Sequence, residues 1–501
     1  MKLIKNMIII KSNFLLMMIL LKSFSIYSQG RNSVWLMGYQ SKVRMSFTGT
    51  SYNISSETRT IPFLDTQGNI SDENGNVLMS SNGIFIADAF GDTMQNGSGL
   101  NPNQFTTDNK DFGLPISYGN IILPMPGDTN KYVLFHQTLD YSTGDSPDIF
   151  YSIADLSLNG GLGQVISKNS VALNGSFGGG ITACKHGNGR DWWVIAISID
   201  GDLIHEFLLT PDSIIYTGVQ NLQLQPEYGW AGQPVFSPDG EKFAFRNGYL
   251  SGMNWNLFIN LFSFDRCSGI FNLDTVINYS DNTIGYGTMY SPNSKYLYFS
   301  TSSHVYQVNT DTSDIGASFQ TVATNDTFLS APPVFYTNFH LMYLAANGKI
   351  YLSSTSSVLH LHEMNYPDSS GVVCDVQLHN ISTIHFFIGV PNHPNYYLGA
   401  KTGSSCDTLT SVNEIEHDFR FKIFPNPVTD RNLKIVYLLP QNKKGMFEIF
   451  DINGRKVFSY SLPQWSTLQY IIIPRLANGV YNCVITSAGE RVSKKLLVFN
   501  E

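Results

Sequence analysis

Histidines are the residues whose spacing best suits metal chemistry in this sequence. Six of the eleven histidines lie between His340 and His393, and His360 and His362 stand two positions apart in the stretch VLHLHEM. On a β-strand, side chains at i and i+2 share a face, so this pair could hold a zinc ion. Glu363 would point to the opposite face of the same strand. We therefore expect ordinary strand histidines and predict neither a metal site nor a cofactor.

Aromatic side chains beside small polar residues offer a second kind of chemistry, because exposed rings with neighbouring amides form platforms for sugar rings or peptides. The residues of this kind, to which we assign a ligand-binding role, are Trp192, Trp193, Tyr228, Trp230 and Trp255. The alternative is structural. Trp192 and Trp193 would straddle one strand with one ring in the core, and Trp230 would pack between repeats.

Hydrolase sequence boxes are missing from the chain. It contains no GxSxG, HExxH or GxxxxGK[ST] motif and no SxDxGxTW box. These boxes place a nucleophile, a metal or a phosphate in a fixed local geometry. We predict no catalytic residue, and an enzyme is the less favoured class of protein.

Composition narrows the fold and the class of partner. Of 501 residues, 14% are charged, 13% are aromatic and 43% are hydrophobic, and the chain holds 42 Gly and 21 Pro. This mixture favours many short strands and turns in an all-β fold and excludes disorder throughout. The net charge of −8 argues against a nucleic-acid partner.

The first 28 residues have the pattern of a secretory signal peptide. Lys2, Lys5 and Lys11 precede an apolar run of eight residues, FLLMMILL, and a polar stretch follows it up to Ser28. A membrane span needs about 20 apolar residues, so the run is too short to cross a bilayer. No later segment reaches 18 apolar residues, and we predict export without a transmembrane segment.

A repeat organises residues 32–400. A turn rich in Asn, Asp and Gly is followed by a β-prone run six times, at intervals of 51 to 60 residues, which suits one four-stranded blade per interval. The markers are Asn74, Asp128, Asn188, Asp239, Asn293 and Asn347. With a terminal stretch NHPNYYLG as a seventh candidate, the arithmetic predicts a seven-bladed β-propeller. We expect the early stretch SVWLMGY, residues 33–39, to complete the final blade and close the ring. A β-sandwich array or a β-helix is the competing fold.

These repeats carry a resemblance to known propellers. SPDGEKFAF from Ser237 and SPNSKYLYFS from Ser291 resemble hairpins of the periplasmic translocation-protein-like propellers. FYSIADLSLNGGLG, ACKHGNGRDWWVIA, FSFDRCSGIF and AANGKIYLSS resemble a group of exported Bacteroidetes propellers. The resemblance implies an architecture rather than a chemistry. Residues 41–60 depart from the pattern, so the limits of the first blade are open.

The last 81 residues carry four ordered motifs: FKIFPNPVTD, FEIFDINGRKVFS, LANGVYNCVITSAGE and KKLLVFN. In order and spacing they are similar to the type A sorting domain of the Bacteroidetes type IX secretion system. The resemblance implies that this tail guides the folded protein across the outer membrane, and that a sortase then removes it, with the body released or attached to a surface lipopolysaccharide. The residues matching the sorting motifs are Pro425, Asn426, Pro427, Gly454, Gly479, Tyr481, Lys494 and Lys495. Lys494 and Lys495 have two equally supported interpretations: they contact the secretion machinery, or they simply face solvent.

The residues of the tail independently predict a separate module. Seven short strands can be read in residues 421–501, which indicates a small immunoglobulin-like β-sandwich. Residues 29–420 have a net charge of −18 and the tail has +6, and residues 401–420 read as a linker. Of the five cysteines, Cys483 alternates with apolar residues and should be buried and inert. The other four allow three complete pairings, among which Cys374 with Cys406 is slightly favoured.

These observations predict a secreted or cell-surface propeller that acts as a binding or adhesion module. Its expected partners are the type IX secretion machinery, a sortase, and an extracellular glycan or protein. The alternative is an extracellular hydrolase or lyase that processes polysaccharide or peptide at the propeller channel. An enzyme should gather two or more carboxylates or histidines at one mouth of that channel, whereas a binder should present aromatic and amide groups there.

Overall fold

The computed structural model describes residues 30–39, 43–222, 224, 232–251, 254–330, 334–407, 421–429, 431–437, 439, 444–463, 468–487 and 490–499. The predicted signal peptide lies outside these residues. The chain divides into two compact units, Met1–Asp407 and Thr408–Glu501.

The first unit is a seven-bladed β-propeller, as the repeat predicted. Blade 1 has three antiparallel strands and blades 2 to 7 have four each, ordered from the axis outwards. Blade 1 holds β1 (Val34–Met37), β2 (Val43–Thr48) and β3 (Ser51–Ser56). Blade 2 holds β4 (Gly68–Ser71), β5 (Val77–Ser81), β6 (Phe85–Ala87) and β7 (Thr93–Ser98). Blade 3 holds β8 (Asn120–Pro124), β9 (Lys131–His136), β10 (Ser146–Asp155) and the first part of β11 (Gln164–Lys185). Blade 4 holds the second part of β11, β12 (Trp192–Ser198), β13 (Leu203–Leu209) and β14 (Ile214–Asn221); blade 5 holds β15 (Val235–Phe236), β16 (Lys242–Ser251), β17 (Asn254–Phe264) and β18 (Phe271–Asp281). Blade 6 holds β19 (Thr288–Tyr290), β20 (Tyr296–Ser300), β21 (His304–Asn309) and β22 (Gln320–Thr324); blade 7 holds β23 (Met342–Leu344), β24 (Ile350–Leu352), β25 (Val358–Met364) and β26 (Val376–Phe387). A short helix α1 (Gln104–Asp108) lies between blades 2 and 3.

All six marker residues lie where the turn chemistry predicted, in the hairpin between the first and second strands of blades 2 to 7. In blade 5 the Asp239 carboxylate accepts hydrogen bonds from the Ser237 hydroxyl at 2.5 Å and from the Glu241 N–H at 3.0 Å. Gly240 then turns the chain with φ 72°, a conformation that a residue with a Cβ rarely adopts. The same local chemistry in six places sets the blade spacing.

The first blade differs from the prediction. The strand β1 does not join the final blade, because its four residues pair with β2, from Val34 opposite Ser46 to Met37 opposite Val43. The ring closes instead by side-chain packing between blades 1 and 7, where the Trp35 ring lies 5.5 Å from the Tyr351 ring. The ring therefore reaches seven blades because the N-terminal three-stranded sheet, blade 1, is a blade of its own.

The stretch NHPNYYLG is likewise not a blade turn. Residues 388–407, which we call the axial thread, follow β26 and run along the inner strands. The Asn392 amide nitrogen donates to the carbonyls of Asn120 in β8 and Ile181 in β11, at 3.0 and 2.8 Å. The Tyr396 hydroxyl donates to the Ile122 carbonyl at 2.9 Å. These inner-edge carbonyls have no strand partner on the axial side, and the thread supplies their hydrogen bonds.

The end of the thread is fixed to blades 4 and 5. The Lys401 N–H donates to the Gly187 carbonyl at 2.7 Å, and a disulfide joins Cys406 to Cys267, whose Cα atoms are 5.5 Å apart. The favoured pairing of Cys374 with Cys406 is therefore wrong, since Cys374 is a free, buried thiol between blades 6 and 7. Residues 401–407 belong to the propeller rather than to a linker, while residues 408–420 lie outside the described chain.

The second unit is the predicted small β-sandwich. Its strands are β27 (Phe421–Phe424), β28 (Asn432–Tyr437), β29 (Gly445–Phe450), β30 (Lys456–Leu462), β31 (Leu468–Ile472), β32 (Gly479–Ser487) and β33 (Glu490–Val498). They form a sheet of order β27-β28-β31 and a sheet of order β30-β29-β32-β33 around one apolar core. Cys483 lies in that core, and burial raises the pKa of its thiol to about 12, which confirms an inert thiol.

Candidate functional site

A cavity of about 240 Å³ lies at the propeller axis. Six of the seven blades contribute to its wall from the same place, the residues immediately before the inner strand. These residues are Asp65 in blade 2, Tyr118 in blade 3, Gly180 in blade 4, Gln233 in blade 5, Tyr286 in blade 6 and Leu341 in blade 7. Because inner strands of successive blades surround the axis, equivalent positions of different repeats converge there.

One wall of the cavity is a saturated polar network. The Tyr118 ring stacks on the Tyr343 ring with centroids 5.8 Å apart. The Gln233 amide nitrogen contacts the Tyr118 hydroxyl and donates to the Met342 carbonyl at 2.6 Å. Its oxygen accepts from the N–H groups of Thr288 and Met342, at 3.2 and 3.1 Å. A side chain with all its hydrogen bonds made is a rigid wall rather than an adaptable ligand contact.

Asp65 is the carboxyl group of the cavity. Its Oδ2 accepts a hydrogen bond from the Ser117 hydroxyl at 2.6 Å. Its Oδ1 is buried and has no hydrogen-bond partner among the residues described. Burial raises the pKa of this carboxyl from 3.8 to about 6, and the Ser117 hydrogen bond offsets only part of that effect. Asp65 therefore holds a charge at neutral pH that is poorly compensated.

His340 lies on the wall contributed by blade 7. It is 7% exposed, and its Nδ1 has no hydrogen-bond partner within the described part of the chain. Its ring meets the Tyr286 ring edge to face, with centroids 5.5 Å apart. Burial, with a smaller contribution from the positive charge of Arg246, lowers the pKa of His340 to about 4, so the ring is neutral at physiological pH.

Three of the five aromatic residues predicted to bind ligand are described by the structure, and these three do not form an exposed platform. Trp192 and Trp193 are 0% and 4% exposed, and this corrects the expectation of a surface site at these two residues. Trp192 packs against the Tyr396 ring of the thread, and the Trp193 Nε1–H donates to the Arg266 carbonyl at 2.8 Å. Trp255 is half-buried in β17 and packs on the core between blades 5 and 6. Tyr228 and Trp230 lie outside the described residues.

The histidine pair is part of the blade 7 sheet. His362 is buried, its Nε2 lies 3.2 Å from the Asn338 carbonyl, and its Nδ1 accepts from the His379 N–H at 3.0 Å. Both ring nitrogens of His362 are thus occupied by the main chain. Glu363 forms an ion pair with Lys349 at 2.8 Å. The pattern at residues 360–363 is accounted for by strand packing.

The sorting motifs meet at the final strand of the sandwich. The Asn426 side-chain Nδ2 donates to the Lys495 carbonyl at 2.9 Å, and the Leu497 N–H donates to the Asn426 side-chain Oδ1 at 2.8 Å. Pro425 and Pro427 flank this asparagine, and Val428 continues the contact through a bridge with Val498. The side-chain amide of the FPNP asparagine therefore binds the main chain of the KKLL strand.

The other motif residues lie in a turn and on strands of the sandwich. Gly454, with φ 75°, completes the turn between β29 and β30, and Gly479 begins β32. The Tyr481 hydroxyl donates to the Ala477 carbonyl at 3.0 Å. Lys494 and Lys495 lie on β33, opposite Cys483 and Asn482.

Sequence reasoning missed the cavity residues, because no short motif surrounds them. Asp65, Gln233 and Tyr286 occur in unrelated local sequences and share only a position, two or three residues before an inner strand. The usable signal was the repeat itself. Once the blades are counted, residues at that position of each repeat are candidates for an axial site.

Fold and sequence together define an all-β protein made of a seven-bladed propeller and a C-terminal export module. Residues 422–499 match the family described as secretion system C-terminal sorting domain. This match covers the sandwich and agrees with the four motifs. The chain is thus an exported propeller protein whose tail directs it to secretion or cell-surface attachment. No helix in the described residues is long and apolar enough to cross a membrane.

No curated protein matches the sequence. Among solved structures, a protein from Lactobacillus plantarum is 11% identical with a TM-score of 0.36, and the alignment covers 81% of this chain and 100% of that one. The Nup133 β-propeller domain of Vanderwaltozyma polyspora is 10% identical with a TM-score of 0.28, over 58% and 90% of the two chains. An exo-β-1,3-galactanase from Phanerochaete chrysosporium is 9% identical with a TM-score of 0.33, over 81% and 96%. Likenesses at these values carry no argument about function.

Proposed function

We propose that this protein is a secreted or outer-membrane-surface binding module whose ligand enters the axial cavity. In this proposal the signal peptide takes the chain to the periplasm, the tail engages the type IX machinery, and a sortase removes the tail. The body is then released or attached to the surface, where it binds an extracellular glycan or protein. The observation that carries the binding role is the cavity formed by equivalent residues of six blades.

The composition of the cavity supports a binder over a hydrolase or lyase. Acid–base hydrolysis of a glycosidic bond generally uses two carboxyl groups about 5 to 9.5 Å apart. Asp65 is the one carboxyl residue among the described residues that line the cavity. His340 is the one histidine among them, and no hydrogen bond joins its ring to Asp65 in the described chain. Tyr118 and Tyr286 supply the aromatic groups expected of a binder, and the Gln233 amide holds the wall in place.

An array experiment tests the binding role with the full-length chain. Gly179 lines the cavity, has no positive φ, and a Cβ placed there would meet only the Ser117 carbonyl, at 3.9 Å. Gly179→Trp should therefore fill the cavity with little strain on the backbone. Gly316→Trp is the matched control, because Gly316 lies between β21 and β22 and a Cβ there meets only an Asp314 side-chain oxygen, at 3.6 Å.

On glycan and peptide arrays we expect wild type and Gly316→Trp to bind the same glycans or peptides, and Gly179→Trp to bind none of them. Equal binding by all three proteins would place the ligand elsewhere on the molecule. Turnover of a retained glycan or peptide, abolished by Asp65→Asn, would instead support the enzyme alternative.

A further inference from the structure

The axial cavity has a one-sided charge. Among its described lining residues, Asp65 carries the only formal charge at neutral pH, because the pKa of His340 is lowered to about 4 and the pKa of Tyr118 is raised well above 10 by burial. Arg246 is the nearby guanidinium. It belongs to blade 5 and lies over the Tyr286 ring, 5.1 Å from the ring centroid. Its positive charge reaches His340, whose pKa it lowers, whereas Asp65 belongs to blade 2 and forms no ion pair with Arg246 in the described chain.

The Asp65 carboxylate lacks the partner that buried charges usually have. One hydrogen bond, from the Ser117 hydroxyl, reaches Oδ2, and Oδ1 has no partner in the described chain. A buried carboxylate is costly unless it is paired with a cation or several donors. The half-buried Asp65 side chain lines the cavity while Oδ1 lies inside the wall, and a cationic group brought into the cavity would supply the missing counter-charge.

The remaining wall suits the body of such a ligand. The half-buried Tyr286 presents aromatic surface to the cavity beside the Tyr118 ring, and aromatic faces attract ammonium groups. His340 is more than nine-tenths buried, and its ring closes the wall beside Tyr286. A volume of about 240 Å³ is below that of most drug-sized sites and has room for one ring or one long side chain.

We propose that the axial cavity binds an organic cation, a primary ammonium group attached to a body the size of one aromatic ring. The ammonium lies against Asp65 and the body faces Tyr286. Ligands of this chemistry include small amines and the lysine side chain or N-terminus of a peptide. The inference rests on the proposed binding function and assigns its ligand class.

Three probes of similar shape and different charge test the assignment by calorimetric titration of the full-length protein. They are benzylamine, benzyl alcohol and benzoate. At about pH 7.5 we expect benzylamine to bind at least about tenfold more tightly than benzyl alcohol, and benzoate to bind most weakly. Asp65→Asn should remove the preference for benzylamine. Asp212→Asn, at an exposed hairpin between β13 and β14, should leave it unchanged.

The pH dependence of the wild-type protein provides a test that needs no variant. Around Asp65, the pKa values of Tyr118 and Tyr343 are raised well above 10, and the pKa of His340 is lowered to about 4. The side chain of Asp65 is thus the described cavity group that changes charge between about pH 5 and 8. The preference for benzylamine should fall as the pH drops through about 6.

The outcomes separate the ligand class from the binding function. Binding of benzyl alcohol or benzoate as tight as that of benzylamine, and abolished by Gly179→Trp, would overturn the cation assignment while supporting a ligand site in the cavity. Absence of benzylamine binding would overturn the assignment as well. The binding function itself would then stand or fall by the loss of array features in Gly179→Trp.

Discussion

A carboxyl group at the propeller axis should make the stability of the fold depend on pH. The pKa of Asp65 is raised from 3.8 to about 6, so the folded chain holds this proton more tightly than the unfolded chain. The stabilisation from the proton is complete below pH 3.8 and is lost as the pH rises through about 6. Ionised Asp65 therefore destabilises the propeller at neutral and alkaline pH.

Asp65→Asn should remove that dependence. Its side-chain oxygen can still accept the Ser117 hydrogen bond, so we expect a melting temperature a few degrees above wild type at about pH 8 and little gain at about pH 4. Thermal denaturation of both proteins across this range measures the difference. A gain that is equal at both pH values would show that the charge of Asp65 has no part in it.

The cysteines provide a second prediction at the residue scale. Alkylation of the denatured, unreduced protein should modify Cys184, Cys374 and Cys483, and peptide mapping should recover Cys267 linked to Cys406. Cys374→Ala should keep that linked peptide. Cys406→Ser should lose it and lower the free energy of unfolding by roughly 2–5 kcal/mol. A peptide linking Cys374 to Cys406 would contradict the structure.

The axial thread is the element that the sequence did not reveal. Its residues 392–399 contain the same Asn, Pro, Tyr and Gly that mark blade turns elsewhere, so composition alone made it a seventh repeat. What distinguishes it is tertiary: its polar side chains pair with carbonyls of strands more than 200 residues away in sequence, as Asn392 does with Asn120 and Ile181. Local turn chemistry located the six real hairpins because those contacts span only a few residues.

The thread should contribute measurably to the stability of the ring. Asn392→Ala removes two hydrogen bonds and leaves the Asn120 and Ile181 carbonyls buried without donors, which should cost about 2–3 kcal/mol of the free energy of unfolding. Asn395→Ala is the control, since the Asn395 side chain is exposed, and its two hydrogen bonds, to the Pro238 carbonyl and from the Tyr397 N–H, lie where water can replace them. Its cost should stay below about 1 kcal/mol.

Chemical denaturation followed by tryptophan fluorescence measures both variants, because Trp192 packs on the thread residue Tyr396. Equal costs for Asn392→Ala and Asn395→Ala would argue that the thread only covers the inner strands and does not hold them together.

At the scale of the whole molecule, the sequence predicted the number of blades, the sandwich and its seven strands. Those features depend on short periodic patterns, each repeated several times. The closure of the ring, the disulfide and the cavity depend on which distant segments meet at the axis. The blade count of seven was correct although one of its blades was misplaced, because the N-terminal sheet took the position that had been given to NHPNYYLG. The sorting motifs could be found because they are local, but the joining of Asn426 to β33 could not.

The tail and the body should respond separately to truncation. A chain ending at residue 493 lacks Leu496 and Val498, which are 0% and 3% exposed in the sandwich core, and it also lacks the two backbone contacts of Asn426. Loss of that core should unfold the tail. The propeller should keep its melting temperature, since its last fixed residues are those of the thread, up to Asp407. We expect the truncated protein to accumulate in the periplasm with its propeller folded.

The double variant Lys494→Gln, Lys495→Gln separates recognition of the tail from its folding, because it removes two charges and keeps the apolar residues of β33.

For wild type, mass spectrometry of the medium and the outer membrane should find bodies that end within residues 408–420. Cleavage inside residues 401–407 is disfavoured, because that segment is held to blades 4 and 5 by the Lys401 bond and the Cys267–Cys406 disulfide, and proteases need an extended, accessible chain. The released body would lose a tail of net charge +6 and become more acidic. Normal export of the truncated chain, or surface protein that still contains residues 496–501, would contradict a removable sorting tail.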